Sequence, residues 1–159
     1  MSTVHIYTDG GASGNPGPGG YGVVMIYGHH RKELHEGFRL TTNNRMELLA
    51  VIVALESLKK EGLQVVVYSD SKYVVDAVEK GWLKSWVQKN FNKKANVDLW
   101  LRFLKAYKRH QVKFVWVKGH ASNVENNRCD ELAVAAYKLP KLHIDYGYEE
   151  SKNSGIFED

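Results

Sequence analysis

The chain has 159 residues, of which 43% are hydrophobic, and a formal net charge of +4. This length fits one domain with its own core, and the absence of any stretch near the roughly 20 apolar residues of a membrane span, or of a signal-peptide pattern, argues against membrane association. Cys129 is the only cysteine, which excludes an intrachain disulfide and favours the reducing cytoplasm.

Strand-like runs alternate with segments of helical period, which predicts an α/β or mixed α+β fold. The expected strands lie near residues 3–9, 20–28, 31–40, 64–69 and 112–118. The expected helices lie near residues 44–60, 71–80, 82–89, 96–109 and 127–138. We expect one catalytic domain over residues 1–140 and an acidic tail over residues 141–159 that is partly disordered and has no assigned role.

The first and fourth predicted strands end in the same way. Residues 4–7 and 65–68 are rich in β-branched residues and close with a tyrosine, and each run is followed by a hydroxyl residue and then Asp9 or Asp70. Because ligands bind beyond the carboxyl ends of strands in open α/β sheets, both aspartates are candidates for chemistry. An aspartate at a strand end is also a common turn residue or helix cap, so neither position is decisive alone.

A glycine-rich run follows the first strand over residues 10–20. It lacks the Gly-Lys-Ser/Thr ending of a phosphate-binding loop and leads into another strand-like run, so we reject a nucleotide-binding interpretation. We expect a tightly turned connection whose lack of side chains lets a nucleic-acid backbone approach the sheet.

The helix expected over residues 44–60 carries a glutamate on its apolar side. Thr42 and Asn43 precede this helix as candidate caps. A spacing of about 100° per residue places Glu47 among apolar residues, opposite a charged stripe that includes Arg45. A buried carboxylate is costly unless it has a partner or a function, whereas an acid in the first turn can simply be exposed, so both interpretations stay open.

Nearly all of the excess positive charge lies between residues 80 and 94. This segment holds five lysines and no acidic residue, so the rest of the chain is close to neutral. Trp82, Trp86 and Phe91 lie among these lysines, which offers cations for phosphates beside flat apolar faces for sugars or bases. The two tryptophans share a helix face, and packing of one of them into the core is an equally good interpretation.

The polar loop over residues 119–127 leads into an apolar helix. His120 in this loop can move protons near neutral pH, although a histidine beside a glycine is often only exposed. Asp130 and its neighbour Glu131 cannot face the same way, and Glu131 is the natural solvent-facing member of the pair.

Four carboxylates are therefore candidates for one site: Asp9, Glu47, Asp70 and Asp130. Clustered carboxylates raise one another's pKa, so a cluster that stays ionised near neutral pH needs a compensating cation. Oxygen ligands suit Mg2+, and phosphate is the substrate group that Mg2+ most often accompanies.

Several short motifs together resemble type 1 ribonuclease H, the bacterial ribonuclease HI group. The motifs are YTDG and GNPG within residues 7–17, TTNNRME at 41–47, SDS at 69–71, WVKGH at 116–120 and CDELA at 129–133. They occur in the family's order and cover the chain from about residue 4 to residue 137. The resemblance implies a ribonuclease H-like fold, which is a five-stranded mixed sheet flanked by helices.

The resemblance also implies an activity. The family's enzymes are endonucleases that hydrolyse the RNA strand of RNA–DNA hybrids with two Mg2+ ions, or Mn2+ as a substitute, and leave 5′-phosphate and 3′-hydroxyl ends. In that arrangement Asp9 bridges both ions, Glu47 and Asp70 hold the ion on the leaving-group side, and Asp130 helps to hold the ion beside the attacking water. His120 moves a proton or assists product release, and the expected protein is a monomer.

The same resemblance implies that a further set of residues contacts the substrate: Asn15, Thr42, Asn43, Asn44, Lys72, Trp82 and Trp86. The amides would meet atoms in the groove of the hybrid and the hydroxyl a phosphate, although Thr42 and Asn43 can also cap the helix. At Lys72 the better-known relatives often carry a neutral amide. The basic segment is also shorter than in those relatives, so we expect a weaker or differently shaped grip on the DNA strand.

Two other functions have to be distinguished from this one. Another nuclease or a strand-transfer enzyme can share the fold, since a fold does not fix the substrate, but the segment of lysines and tryptophans argues against it. A binding module without activity could keep the same basic surface. The four acidic positions together with His120 argue against that second alternative.

Overall fold

The structure, a computed structural model, describes residues 2–118 and 123–154. Its strands are β1 (Thr3–Ala12), β2 (Gly17–Tyr27), β3 (His30–Thr41), β4 (Gln64–Ser69) and β5 (Gln111–Trp116). Its helices are α1 (Asn43–Glu56), α2 (Lys72–Glu79), α3 (Trp82–Gln88), α4 (Val97–Tyr107), α5 (Val124–Tyr137) and α6 (Tyr146–Ser154). None of these helices combines the length and the apolar character that a membrane crossing requires.

The strands form one five-stranded mixed sheet, as predicted, and their order is β3-β2-β1-β4-β5. β1, β2 and β3 pair antiparallel, whereas β1, β4 and β5 run parallel. The main core lies between the sheet and helices α1, α2 and α4, while α5 covers β1, β2 and β3. The β1–β4 pair at the centre of this sheet therefore carries both strand-end aspartates.

Most of the glycine-rich run belongs to strands, which corrects the prediction of a connection over residues 10–20. Gly10 and Gly11 continue β1 and pair with Tyr21 and Gly20 of β2. The connection is reduced to residues 13–16. The physical reason is close packing, because strand residues without side chains let neighbouring backbones approach where a Cβ atom would collide.

Helix α1 is buried on nearly all sides, so the predicted charged stripe was wrong at Arg45. This side chain is only 1% exposed, and its guanidinium donates to Asp98 and Asp145. The helix also ends at Glu56, earlier than the expected residue 60. The reason is the C-cap Ser57, whose Oγ donates to the carbonyl of Ala54 at 2.7 Å.

Helix α5 lies directly on the glycines of β2 and β3. A Cβ atom at Gly22 would come within 2.2 Å of the Cys129 carbonyl oxygen, and one at Gly37 within 2.2 Å of the Ala136 carbonyl oxygen. These strand positions therefore need glycine, since any side chain would push the helix away. The close approach matters for function because α5 carries Asp130.

The part of the tail that the structure describes, residues 141–154, is folded and ends in helix α6. Asp145 is 8% exposed and accepts hydrogen bonds from Arg45, from the Thr41 hydroxyl and from the amide of Tyr148 in helix α6, which the sequence did not predict. A cavity of about 350 Å³ adjoins this network. Its lining includes neither Asp9 nor Asp70, and the Arg45 guanidinium in its wall is already paired with Asp98 and Asp145, so we assign the cavity no function.

Candidate metal centre

The parallel pairing of β1 and β4 brings Asp9 and Asp70 to the same edge of the sheet. Tyr7 pairs with Tyr68, and each aspartate lies two residues further along its strand direction. The two tyrosine rings stack with a centroid separation of 4.5 Å and an interplanar angle of 9°. The repeated strand endings seen in the sequence are thus neighbours in space, because a parallel register carries equal positions side by side.

Glu47 reaches this edge from the first turns of α1. The helix begins after Thr42, whose hydroxyl oxygen accepts a hydrogen bond from the amide of Arg45 at 3.2 Å. The helix then rests on Gly10, where a Cβ atom would come within 2.5 Å of the Met46 carbonyl carbon. A glycine directly after Asp9 is therefore what allows the helix to present Glu47 to the strand ends.

Three of the four predicted carboxylates converge. One carboxylate oxygen from each of Asp9, Glu47 and Asp70 lies within 4.8 Å of the others. Asp9 is only 6% exposed, and its Oδ1 accepts a hydrogen bond from the amide of Gly10 at 2.9 Å. Three acidic groups so close together in a largely buried place form a set of hard oxygen donors of the kind that divalent cations prefer.

The electrostatics of the cluster favour a proton or a cation over three bare charges. Burial raises the pKa of Glu47 well above its ordinary value, and the adjacent carboxylates of Asp9 and Asp70 raise it further. Its Oε1 is buried and accepts no hydrogen bond from any residue in the described ranges. An oxygen in that position is costly unless a donor or a cation meets it.

Asp130 does not belong to this close group. It is exposed on α5 and lines a separate cavity of about 130 Å³ together with Asp9, Gly10, Gly11 and Asn43. The close group thus holds three of the four predicted ligands, and Asp130, which shares a cavity lining with Asp9, stays a predicted ligand. His120, the predicted proton carrier, lies outside the described residues.

The predicted substrate residues near the start of α1 include two asparagines whose side chains are fixed by hydrogen bonds to backbone amides. The Oδ1 atom of Asn15 accepts from the amide of Asn43 at 3.0 Å, and the Oδ1 atom of Asn43 accepts from the amide of Ala12 at 2.7 Å. These contacts join the β1–β2 connection to the helix and fix the direction of both side-chain amides. Asn44 follows as a half-buried residue of the same helix.

The two tryptophans of the basic segment have different environments. Trp82 is 44% exposed, with the ammonium of Lys80 at 5.5 Å from its ring centroid. Trp86 packs edge-on against the buried Trp100 with a centroid distance of 5.6 Å, so the core-packing interpretation holds for it. Phe91 is also buried, which corrects its expected role as a flat face for substrate.

The lysines of the segment remain at the surface around these rings. All five are exposed, and Lys94 lies 5.0 Å from the ring centroid of Trp86. The segment therefore presents positive charge together with one exposed indole, that of Trp82.

Sequence reasoning missed the contacts that surround Asp70. The Nε1–H group of Trp116 donates to the Asp70 carbonyl at 3.2 Å, and the ammonium of Lys72 lies 4.6 Å from the Trp116 ring centroid. Asn126 on α5 donates to the carbonyls of Thr8 and Tyr68, which precede the two strand-end aspartates. One sequence signal could have indicated the contacts of Asn126. It lies four residues before Asp130, so both residues are on the helix face that was expected to approach the carboxylates.

The comparisons with known proteins agree with this architecture. The family model described as RNase H matches residues 1–138. A protein named Ribonuclease H from Desulforamulus reducens is 61% identical over 150 residues, which cover 91% of this chain and 94% of that protein. A protein named Ribonuclease HI from Shewanella oneidensis is 52% identical over 153 residues, which cover 94% of this chain and 96% of that protein.

A solved structure shows the same fold. The crystal structure of LC9-RNase H1, described as a type 1 RNase H with the type 2 active-site motif, has a TM-score of 0.79 to this chain. The two sequences are 31% identical, and the superposition covers 99% of this chain and 86% of that chain.

Proposed function

The chain belongs to the ribonuclease H family. From this premise we propose that it cuts the RNA strand of RNA–DNA hybrids and that Asp9, Glu47 and Asp70 form its catalytic site. The products carry 5′-phosphate and 3′-hydroxyl ends, and two Mg2+ ions, replaceable by Mn2+, are the cofactors. The observation that carries the proposal is the approach of three carboxylates to within 4.8 Å at the point where the parallel pairing of β1 and β4 ends.

The donor set fits a hard divalent cation. All three ligands offer carboxylate oxygens, and the buried Oε1 atom of Glu47 lacks a hydrogen-bond donor among the described residues, which a cation would replace. When bound, the ions lower the pKa of the attacking water and stabilise charge on the entering and departing oxygens. Because burial and the neighbouring carboxylates raise the pKa of Glu47, a proton and a cation compete for this carboxylate, and metal binding favours release of the proton.

Each side chain has a distinct task in this proposal. Asp9, in the central strand of the sheet, would help to hold both ions, while Glu47 and Asp70 would hold the ion that stabilises the leaving group. Asp130 would help to hold the ion that activates the attacking water, and the cavity that it shares with Asp9 supports this assignment. His120 accepts or returns a proton, a task that rests on the sequence motif alone.

Substrate recognition uses donors that the fold has already oriented. Because the Oδ1 atoms of Asn15 and Asn43 are engaged with backbone amides, their Nδ2 groups are the donors that can meet acceptors in the shallow groove of a hybrid. Thr42 and Asn44 flank this position. Trp82 and the exposed lysines of residues 80–94 grip the DNA strand, with the indole against a sugar and the ammonium groups near phosphates.

Lys72 adds a charge close to the reaction. It lies over Trp116, which is itself hydrogen bonded to the backbone of Asp70. A cation in this place attracts a phosphate near the cut, whereas a neutral amide would read a base edge.

The chain acts alone in this proposal, as a monomer, because one chain supplies all of the carboxylates. We also propose that the protein works in the cytoplasm, where cysteines stay reduced. Cys129 is buried, and its thiol donates to the Tyr7 carbonyl at 3.1 Å, so the fold uses this cysteine in its reduced form.

A gel assay with an end-labelled RNA–DNA hybrid and Mg2+ tests the proposal. The wild-type protein should cut only the RNA strand, and Asp70→Asn should lose this activity. Asp76→Asn is a matched control, since Asp76 lies on the adjacent helix α2 and pairs with Lys80 at 3.5 Å, away from the cluster. Cutting of duplex DNA would indicate another nuclease of this fold, and hybrid binding without cutting would indicate a binding module.

A further inference from the structure

Asn126 connects the two strands that carry Asp9 and Asp70. It lies in the first turn of α5 and is fully buried. Its Nδ2 group donates to the Thr8 carbonyl at 3.2 Å and to the Tyr68 carbonyl at 3.4 Å. Thr8 immediately precedes Asp9, and Tyr68 lies two residues before Asp70, so one side-chain amide holds both strand ends next to their carboxylates.

The surroundings fix the orientation of this amide. A reversed amide would turn its oxygen toward two carbonyl oxygens, which repel it, so Nδ2 has to face the strands. The backbone amide of Asn126 is held in turn by Oδ1 of the N-cap Asn123 at 3.1 Å. The side chain thus joins the end of the helix to the edge of the sheet in one defined arrangement.

Stability alone does not explain this residue. The Oδ1 atom of Asn126 is buried and accepts no hydrogen bond from the described residues. A buried acceptor without a donor is unfavourable and offsets much of what two long hydrogen bonds contribute. An apolar side chain of the same shape would avoid that penalty but would remove the donor that the Thr8 and Tyr68 carbonyls share, so the benefit of asparagine lies in these two contacts and in what they position.

We propose that Asn126 is a positioning residue, which sets the separation of Asp9 and Asp70 so that both can bind the same cation. The inference rests on the proposed metal-dependent function and deepens it. Asp130 lies four residues further along the same helix face, so the contact also fixes the distance between Asp130 and the strand ends. Among the described residues, the side-chain hydrogen bonds of Asn126 go to backbone carbonyls, so it acts through the residues that it holds in place.

Calorimetric titration of Mn2+ into the metal-free protein tests this role independently of catalysis. Asn126→Leu keeps the volume but removes the donor, and Asn126→Ser keeps a hydroxyl donor on a shorter side chain, which restores at most one of the two contacts after a small movement of the helix. Asn123→Ala is the matched control, because it removes the neighbouring helix cap and weakens the same helix end without touching the strand carbonyls. Melting temperatures of all variants are measured in parallel, and titrations are done where each protein is folded.

The expected result is a loss of Mn2+ affinity of about 10- to 100-fold in Asn126→Leu, as found when residues that orient metal ligands are removed. Asn126→Ser should show a smaller loss, and Asn123→Ala should keep the wild-type affinity despite a lower melting temperature. High Mg2+ concentration should restore much of the hybrid cleavage by both Asn126 variants.

Two outcomes would overturn the role of Asn126. One is wild-type Mn2+ affinity in Asn126→Leu and Asn126→Ser. The other is an equal loss of affinity in Asn123→Ala, which would show that any weakening of the helix end has the same effect. Failure of the wild-type protein to cut hybrid would instead refute the proposed function, and the two failures are therefore distinguishable.

Discussion

Gly10 lies against the backbone of Glu47. A Cβ atom at position 10 would come within 2.7 Å of the Glu47 amide nitrogen, a distance that real Cβ atoms do not adopt. The contact means that α1 can bring its carboxylate to the strand ends only because the residue after Asp9 has no side chain. Asp9 thus supplies one proposed metal ligand, and Gly10 leaves the room that α1 needs to supply the second, Glu47.

We therefore expect Gly10→Ala to displace α1 and to abolish most hybrid cleavage. Its Mn2+ affinity should fall as well, since Glu47 would move away from Asp9 and Asp70. Gly11→Ala is the control, because a Cβ atom there would meet its nearest neighbour, Oδ1 of Asn43, at an ordinary 3.5 Å. Equal activity of the two variants would show that the approach of helix and strand is not needed.

The pH dependence of stability should reveal the protonation of Glu47. Because its pKa is raised, the folded metal-free protein binds more protons than the unfolded chain above the ordinary pKa of about 4.5, and it loses stability as the pH rises. At about pH 8, metal-free Glu47→Gln should thus have a higher melting temperature than the metal-free wild type. The difference between the two melting temperatures should shrink toward about pH 4. It should also remove the gain in melting temperature that Mg2+ gives to the wild type.

Differential scanning calorimetry across this pH range checks the expectation. Glu150→Gln is a suitable control, since Glu150 is exposed on α6. A lower melting temperature of metal-free Glu47→Gln at high pH would contradict the account of a strained carboxylate cluster.

The buried ion pair of the tail should be important for stability but not for chemistry. Asp145→Ala leaves the guanidinium of Arg45 without one of its two carboxylate partners, and we expect the free energy of unfolding to fall by about 3–5 kcal/mol. Asp98→Ala should cost less, because the Asp98 side chain is 42% exposed and water can replace it. Urea unfolding measures both values, and a larger loss in Asp98→Ala would contradict the burial argument.

The two tryptophans should separate binding from stability. Trp82→Ala should raise KM for hybrid with little change in melting temperature, since the ring is exposed. Trp86→Ala should lower the free energy of unfolding by about 3–5 kcal/mol, because its ring packs on Trp100 and a cavity would remain. A raised KM in Trp86→Ala, together with lower stability and an unchanged KM in Trp82→Ala, would show that Trp86 and not Trp82 contacts the substrate.

Hybrid affinity should depend steeply on salt. If most of the five lysines of residues 80–94 meet phosphates, the slope of log affinity against log salt concentration is expected to be roughly −3 to −5. Fluorescence anisotropy with a labelled hybrid in Ca2+, which should support binding without rapid cutting, gives this slope. A flat response would remove the role that we give to the basic segment.

Local patterns predicted the parts of the site that depend on local geometry. Asp9 and Asp70 each lie two residues beyond the last β1–β4 pair, Tyr7 and Tyr68, and this parallel register was enough to make them neighbours, although β1 itself continues to Ala12. Glu47 was found on the apolar side of a helical period, and the structure places it in the carboxylate cluster. In each case the decisive information lay within a few residues of the side chain concerned.

Long-range contacts explain what the sequence could not predict. Arg45 fits a solvent-facing stripe by periodicity, but its partners Asp98 and Asp145 are 53 and 100 residues away. Helix α6 is short and polar, and its position depends on that same Asp145. Asn126 likewise shows its role only when α5 is placed on the sheet, since its acceptors lie more than fifty residues earlier in the chain.

Anomalous diffraction from crystals grown with Mn2+ tests the central claim most directly. The account predicts a manganese peak at about 2.0–2.5 Å from one carboxylate oxygen each of Asp9, Glu47 and Asp70, and no such peak in Asp70→Asn. A peak elsewhere, or one retained with full occupancy in Asp70→Asn, would contradict the assignment of these three carboxylates as a metal centre.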